Sequence, residues 1–351
     1  MLQELKVNET PVRTSRNFHI NNAKLKDIEI PSIISEFNNV KVIGNITNDA
    51  NMDYNLTYGL GDKLNEQVKK EANKNIRVVI ENNVNKEVEL NFNFDKENLN
   101  LVDNIEIIAN ENTKSNIIIK YKTVEDIMAY HNGIIRILAK KNSKINIVVV
   151  NLMNIISNNF ISFDNLLEEG AKINYTIVDF GGKNSITNYY SNLLGDNSEN
   201  IINGIYLGKE NQFFDLNYIG ELRGKKSNID IEIQGALKDT AKKHFKGTID
   251  FKKGCKKATG SENEFCTLLS DTAKSIALPM LLCSEEEVEG NHSSAAGKVG
   301  EKELFYIMSR GFNLKEAMKL LVRAKFNKII ENVTSEGLKE EILEEMDNRL
   351  D

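Results

Sequence analysis

Tryptophan is absent from the 351 residues, proline occurs only at positions 11, 31 and 279, and cysteine only at 255, 266 and 283. Three thiols spaced 11 and 17 residues apart form neither a disulfide framework nor a C-x-x-C metal clamp. No stretch approaches the roughly 20 consecutive apolar residues that cross a bilayer, and Met1–Lys6 carries no apolar signal region. These features lead us to expect a cytoplasmic protein with no membrane partner. Basic runs are also missing: 45 basic against 51 acidic side chains give a net charge of −6, which argues against a nucleic-acid partner. A phosphate loop of the Walker type needs Gly-Lys followed by Ser or Thr. Here the pairs at 182–183, 208–209, 224–225 and 297–298 are followed by Asn184, Glu210, Lys226 and Val299, so direct ATP binding is not expected. Gly59-Leu60-Gly61 lacks the third glycine of a dinucleotide loop.

What the chain does contain is a repeat. Between Pro31 and Pro279 no residue removes a backbone donor, which suits an unbroken strand ladder. Runs such as Ile145–Val149, Ile173–Ile177 and Ile229–Ile233 alternate apolar and polar residues, as half-buried strands do. Isoleucine recurs at 117, 145, 173, 201 and 229, and leucine at 138, 166, 194 and 222, each series stepping by 28 residues. Polar turns at 140–144, 168–172, 195–199 and 224–227 separate the two columns and supply Gly, Asn and Ser for positive φ. A unit of strand, turn, strand and turn is too short for a βαβ crossover, which takes roughly 30 residues or more. The pattern predicts a mainly β fold, a right-handed parallel β-helix whose stacked coils bury the Ile and Leu columns. An antiparallel sandwich with accidental spacing is the alternative.

After Pro279 helical signals take over. Glu301–Ser309 is rich in helix formers, with Gly311 placed to end the turn. Asn313 and Glu316 form a capping-box pattern ahead of Leu314, Ala317, Leu321, Ala324 and Ile329, and Ser335 opens a last helix with Leu338, Ile342 and Met346 on one side. The expected domains are a small irregular or helical N-terminal segment (1–35), a β-helix core (36–290) and a helical C-terminal segment (291–351).

Four histidines are present, and His19, His131 and His244 sit in ordinary polar or strand-like contexts that suggest surface or packing roles. His292 differs: it follows the acidic run Glu285–Glu289 and precedes the small residues Ser293–Gly297, where another chain or a metal can approach the backbone. A β-helix can also be a carbohydrate-active enzyme, but that needs paired carboxylates on one exposed face. In the 28-residue register Asp164 falls beside Arg136 and Asn192, and no acidic ladder emerges. That alternative rests on architecture alone.

The segment Val288–Gly300, continued by Glu303-Leu304-Phe305-Tyr306-Ile307-Met308-Ser309-Arg310-Gly311, resembles the C-terminal signature of the SufB/SufD family of the SUF iron–sulfur cluster assembly system. Leu268–Ala273, the Pro279 segment and Phe245–Ile249 resemble the approach to that motif, so the likeness is strongest over 240–333. The resemblance implies a non-enzymatic scaffold subunit. It would pair with a SufB-like partner or a second copy of itself and bind the ATPase SufC through its C-terminal segment, with Phe305, Tyr306, Arg310 and Gly311 as contact residues. An iron–sulfur cluster would be assembled transiently on the complex while SufC supplies nucleotide-driven motion. The resemblance makes His292 a metal ligand. Cys266 becomes a thiolate candidate, about two residues from the functional cysteine of SufB-like members, while Cys255 and Cys283 are structural. Chain length and the offset cysteine suggest SufD rather than SufB. A purely structural subunit without metal is the remaining alternative.

Overall fold

A computed structural model describes the chain except residues 1–3, 14–19, 27, 33, 49–54 and 83. His19 lies outside the described residues. In chain order the first elements are β1 (Leu5–Val7), β2 (Ala23–Leu25), β3 (Val40–Ile43), β4 (Thr47–Asn48) and helix α1 (Asp62–Glu71). The solenoid strands follow as β5 (Lys74–Ile80), β6 (Glu87–Phe94), β7 (Asn100–Ala109), β8 (Lys114–Thr123), β9 (Tyr130–Ala139), β10 (Lys144–Leu152), β11 (Asn158–Leu167) and β12 (Lys172–Asp179). They continue with β13 (Asn184–Leu193), β14 (Glu199–Gly208), β15 (Phe213–Leu222), β16 (Asn228–Leu237), β17 (Lys242–Phe251), β18 (Thr259–Leu268), β19 (Lys274–Cys283) and β20 (Glu289–Lys298). Three helices close the chain: α2 (Glu301–Met308), α3 (Leu314–Ile330) and α4 (Glu336–Leu350).

Even-numbered strands from β6 to β20 form one parallel sheet, with β3 added antiparallel at its start; odd-numbered strands from β5 to β19 form the other, with β4 added antiparallel. The result is a parallel β-solenoid of about eight turns. Apolar side chains from the inner faces of both sheets fill the space between them, among them Ile105, Ile135, Ile145, Ile173, Phe163, Tyr189 and Ile231. At the polar turns a left-handed residue recurs in successive coils: Asn112, Asn142, Gly170, Asn197, Lys226 and Lys257 all have positive φ. Their amides donate to the next coil, for example Asn142 N to Glu169 O at 2.9 Å and Gly170 N to Asp196 O at 2.9 Å. The stacked turns thereby satisfy backbone groups that a single coil leaves free.

The predicted 28-residue register holds in only part of the solenoid. Ile145 lies beside Ile173, as the spacing requires. Ile117, however, pairs with Ile147, and Ile201 pairs with Asn174. The inward ladder therefore runs Ile145, Ile173, Asn200, Ile229. Coil length varies at the turns, so a fixed period drifts out of register. Asn200 is tolerated inside because its amide donates to Ile173 O at 3.0 Å and its carbonyl accepts from the Tyr189 hydroxyl at 2.8 Å. The leucine column shifts likewise: Leu138 meets Leu166, but the next partner of Leu166 is Asn192. Leu167, Leu193 and Leu222 carry the ladder onward, and Leu194 lies beyond the end of its strand, half-exposed.

Each outer face is covered in part. On the even sheet, Val148, Val150, Val178, Phe180, Ile205 and Leu207 pack against Val322, Phe326, Ile329 and Ile330 of α3 and Ile342, Met346 and Leu350 of α4. The Asn313–Glu316 capping box forms as expected, but the buried stripe of α3 is Ala317, Val322, Phe326, Ile329 and Ile330. Leu314 and Ala324, expected on that stripe, are exposed. Ser335 caps α4, whose buried side includes Leu338, Ile342 and Met346. Arg349 fastens the end of α4, donating to the carbonyls of Phe180 and Met153. On the odd sheet the β1–β2 ribbon and α1 cover Val102, Tyr130, Ile134, Phe160 and Ile186. Asn8 pins the ribbon through hydrogen bonds to Thr187 O, Asp215 and Asn188. Beneath it a fully buried ion pair joins Lys246 Nζ to Asp215 Oδ1 at 2.5 Å, and burial holds the Lys246 ammonium below its ordinary pKa against the opposing pull of Asp215.

Candidate functional site

Among the described residues, no strand stacks on the last coil, β19 and β20: β20 pairs with β18 alone, and β19 with β17 alone. β20 crosses residue 290 and carries His292, whose register neighbour on β18 is Glu262. His292 is exposed, because its strand forms the open rim. Ser294 stands beside Glu264, and Ala296 beside Cys266.

Cys266 sits on the inner face of β18 with 4% of its surface exposed. Burial pushes its thiol above the ordinary value, with the Lys243 ammonium pulling the other way. His292 and Cys266 are not brought together: four residues along the strands separate their register positions, about 13 Å at the usual rise. Cys255 is buried, and burial pushes its thiol up as well. Cys283 is the exposed thiol, donating to Glu285 O at 3.0 Å. Among the described residues no three His, Cys, Asp or Glu side chains gather closely enough to hold a metal.

Below the rim lies a charged group that the sequence reading missed. On β18 residues 260, 262, 264, 266 and 268 share the inner face, so Glu262 and Glu264 both point into the lumen. Glu264 is fully provided for: Lys243 Nζ lies 2.8 Å away, the Tyr206 hydroxyl donates at 2.7 Å and Ser294 Oγ at 3.2 Å. Neither oxygen of Glu262 has a hydrogen-bond partner among the described residues. Burial, reinforced by Glu264, pushes its carboxyl up to about 8. The available signal was the alternation Glu262, Glu264, Cys266 with Asn263 and Phe265 between, which reads as an outward polar face until the register is known.

A second interior network runs deeper. The Tyr121 hydroxyl donates to Asp103, Asp103 meets His131 Nε2 at 2.8 Å, and His131 Nδ1 meets Asn159 Oδ1 at 2.6 Å. Asn159 continues to Ser185, and Ser185 to Asp179, which also accepts from Asn151. His131 thus has a packing role, stacked on Tyr121 at 4.1 Å between centroids. His244 is part-exposed beside Asp215.

Of the predicted contact residues, Phe305 is 77% and Tyr306 59% exposed, and α2 buries none of its residues. Arg310 lies over the Tyr306 ring and donates to its hydroxyl at 3.2 Å, and Gly311, at φ 100°, turns the chain into α3. Met308, Phe312 and Leu314 are further exposed apolar side chains in the same stretch of chain. No helix among the described residues is long and apolar enough to cross a membrane.

A family model describing the SUF-system FeS cluster assembly SufBD core domain matches residues 92–325. The iron–sulfur cluster assembly protein SufD of Bacillus subtilis is 26% identical over 180 residues, covering 51% of this chain and 41% of the relative. A SufBD family protein of Pyrococcus horikoshii is 30% identical over 166 residues, covering 47% of this chain and 36% of the relative. Escherichia coli SufD is 22% identical over 241 residues, 68% of this chain and 57% of the relative. The matched stretch therefore spans between about a third and three fifths of these relatives' lengths.

Proposed function

The chain belongs to the SUF-system iron–sulfur cluster assembly family marked by the SufBD core domain, and from that premise we propose that it is a SufD-like scaffold subunit of a SufBCD-type complex. The observation that carries the reading is the unfinished last coil. Every solenoid strand from β5 to β18 has a neighbour on both sides, whereas among the described residues the outer edge of β20, which carries Gly290, Ser293, Ala295, Ala296 and Gly297, pairs with no strand. An exposed edge of this kind is a template for another chain. We assign it to a SufB-like partner or a second copy of this chain, with His292 on the rim to hold iron as cargo and the Cys266 thiol in reserve below it. Nascent cluster, iron and sulfide are substrates of such an assembly.

The SufC-like ATPase docks, in this reading, on α2 and the turn after it, through Phe305, Tyr306, Arg310 and Gly311. Within the 291–351 segment α3 and α4 serve the solenoid instead, because they cover its apolar outer face. Deleting 301–351 would strip that cover, so point variants make the cleaner test. In co-expression with the ATPase and a SufB-like chain, Phe305→Asp should abolish ATPase capture and leave thermal stability unchanged within about 0.5 kcal/mol, as for an exposed site. Normal capture by this variant would remove α2 as the docking surface. In the same complex the β20 amides should gain hydrogen-exchange protection over the isolated chain. Unchanged exchange would refute the edge pairing.

A further inference from the structure

The two lumenal carboxylates of β18 differ in a way that packing alone does not explain. Glu264 has an ammonium and two hydroxyls at hydrogen-bond distance, while Glu262, two residues away on the same face and 0% exposed, has no partner for either oxygen. A buried acceptor left unmade costs roughly 1–3 kcal/mol, more when charged. The space around this carboxyl is also built: Gly247, facing it from β17, lacks the Cβ that would overlap the Glu262 carboxyl. One strand further toward the open rim, His292 occupies the adjacent register position, about 4.8 Å away by the usual strand spacing.

We propose that Glu262 and His292 together form a two-ligand site for a divalent first-row transition ion at the mouth of the solenoid. The imidazole supplies a nitrogen from the rim and the carboxylate an oxygen from within the lumen, a donor pair suited to such ions. The remaining coordination positions face the open end, where water, sulfide or a side chain of a pairing chain completes the shell. This agrees with the absence of any three-ligand cluster among the described residues. Glu264 is excluded as a ligand because Lys243 already neutralises it. The inference rests on the scaffold reading only through His292; Glu262 enters from its own unmet valence.

Cobalt(II), titrated into the full chain without oxygen and followed by its visible ligand-field absorption, tests the pair. The wild type should bind a single equivalent. Glu262→Gln and His292→Ala should each weaken binding at least roughly tenfold, the lower bound seen when even an outer-shell partner is removed. Glu289→Gln, at the exposed start of β20, should bind as the wild type does. A thermal-shift readout accompanies the titration: cobalt should raise the wild-type midpoint and leave that of Glu262→Gln unmoved. Because Gln matches Glu in size, this variant should fold and, without metal, melt no lower than the wild type. Loss of binding in His292→Ala but not in Glu262→Gln would overturn Glu262 as a ligand and leave the proposed role of His292 standing. Loss in Glu262→Gln alone would overturn the pairing, and no cobalt bound by the wild type would overturn the site altogether. Partner capture is scored separately, so failure here is distinct from failure of the scaffold reading.

Discussion

Asp179 offers the sharpest test of how dry the solenoid interior is. Its carboxylate accepts from Asn151 Nδ2 at 2.9 Å and from Ser185 Oγ at 2.7 Å, and the residue is buried, with 5% of its surface exposed. Burial pushes its pKa from 3.8 up to about 6, although Ser185, Asn151, the Gly181 amide and Arg349 all favour the charged form. The native state therefore binds this proton more tightly than the unfolded chain does. By linkage, its effect on stability is absent below about pH 4, grows more unfavourable as pH rises toward about 6, and is constant above. A shift of roughly two units at ~1.36 kcal/mol each makes the native state about 3 kcal/mol less stable at neutral pH than it would be with a neutral group there. Asp179→Asn supplies that neutral group in nearly the same shape. Urea unfolding followed by circular dichroism from about pH 4 to about pH 8 should show the two proteins nearly equal at the acid end. Above about pH 6 the variant should be the more stable by up to about 3 kcal/mol. The difference curve isolates Asp179, since other groups titrate alike in both. A pH-independent difference, or a variant less stable at neutral pH, would refute the argument that desolvation dominates this site.

The buried pair Lys246–Asp215 gives a complementary expectation: Lys246→Met should cost about 3–5 kcal/mol by stranding the carboxylate, and Lys246→Met with Asp215→Leu should recover much of that loss in denaturant titrations. Phe326→Ala, which removes a ring stacked 6.3 Å from Phe180 under α3, should cost about 3–5 kcal/mol in the same assay. A loss below about 1 kcal/mol would mean that α3 contributes little to the solenoid.

Local signals were legible wherever the deciding interactions lie within a few residues. Asn313 and Glu316 cap α3 as their spacing requires, Ser335 caps α4, and Asn142 and Gly170 take the left-handed turn conformations that Asn and Gly tolerate. The stripe of α3 was harder, because three- and four-residue spacings fit several faces. Only the sheet beneath selected Val322 and Phe326 over Leu314 and Ala324.

By itself the sequence determined that strands of period two repeat in coils of near-constant length, since a recurring apolar column must find cover and a single coil cannot provide it. It also determined that the chain ends in helices, but the strand Glu289–Lys298, which begins that segment and carries His292 on the rim, was not legible in it. Register was left to the tertiary structure. A coil one residue shorter moves Ile201 from the ladder and puts Asn200 there, where the Tyr189 hydroxyl and the Ile173 carbonyl satisfy its amide. Charge inside the lumen was decided the same way: whether Glu262 faces water or the interior depends on which side of the pleat it occupies, and strands a whole coil apart in sequence fix that side only when they stack.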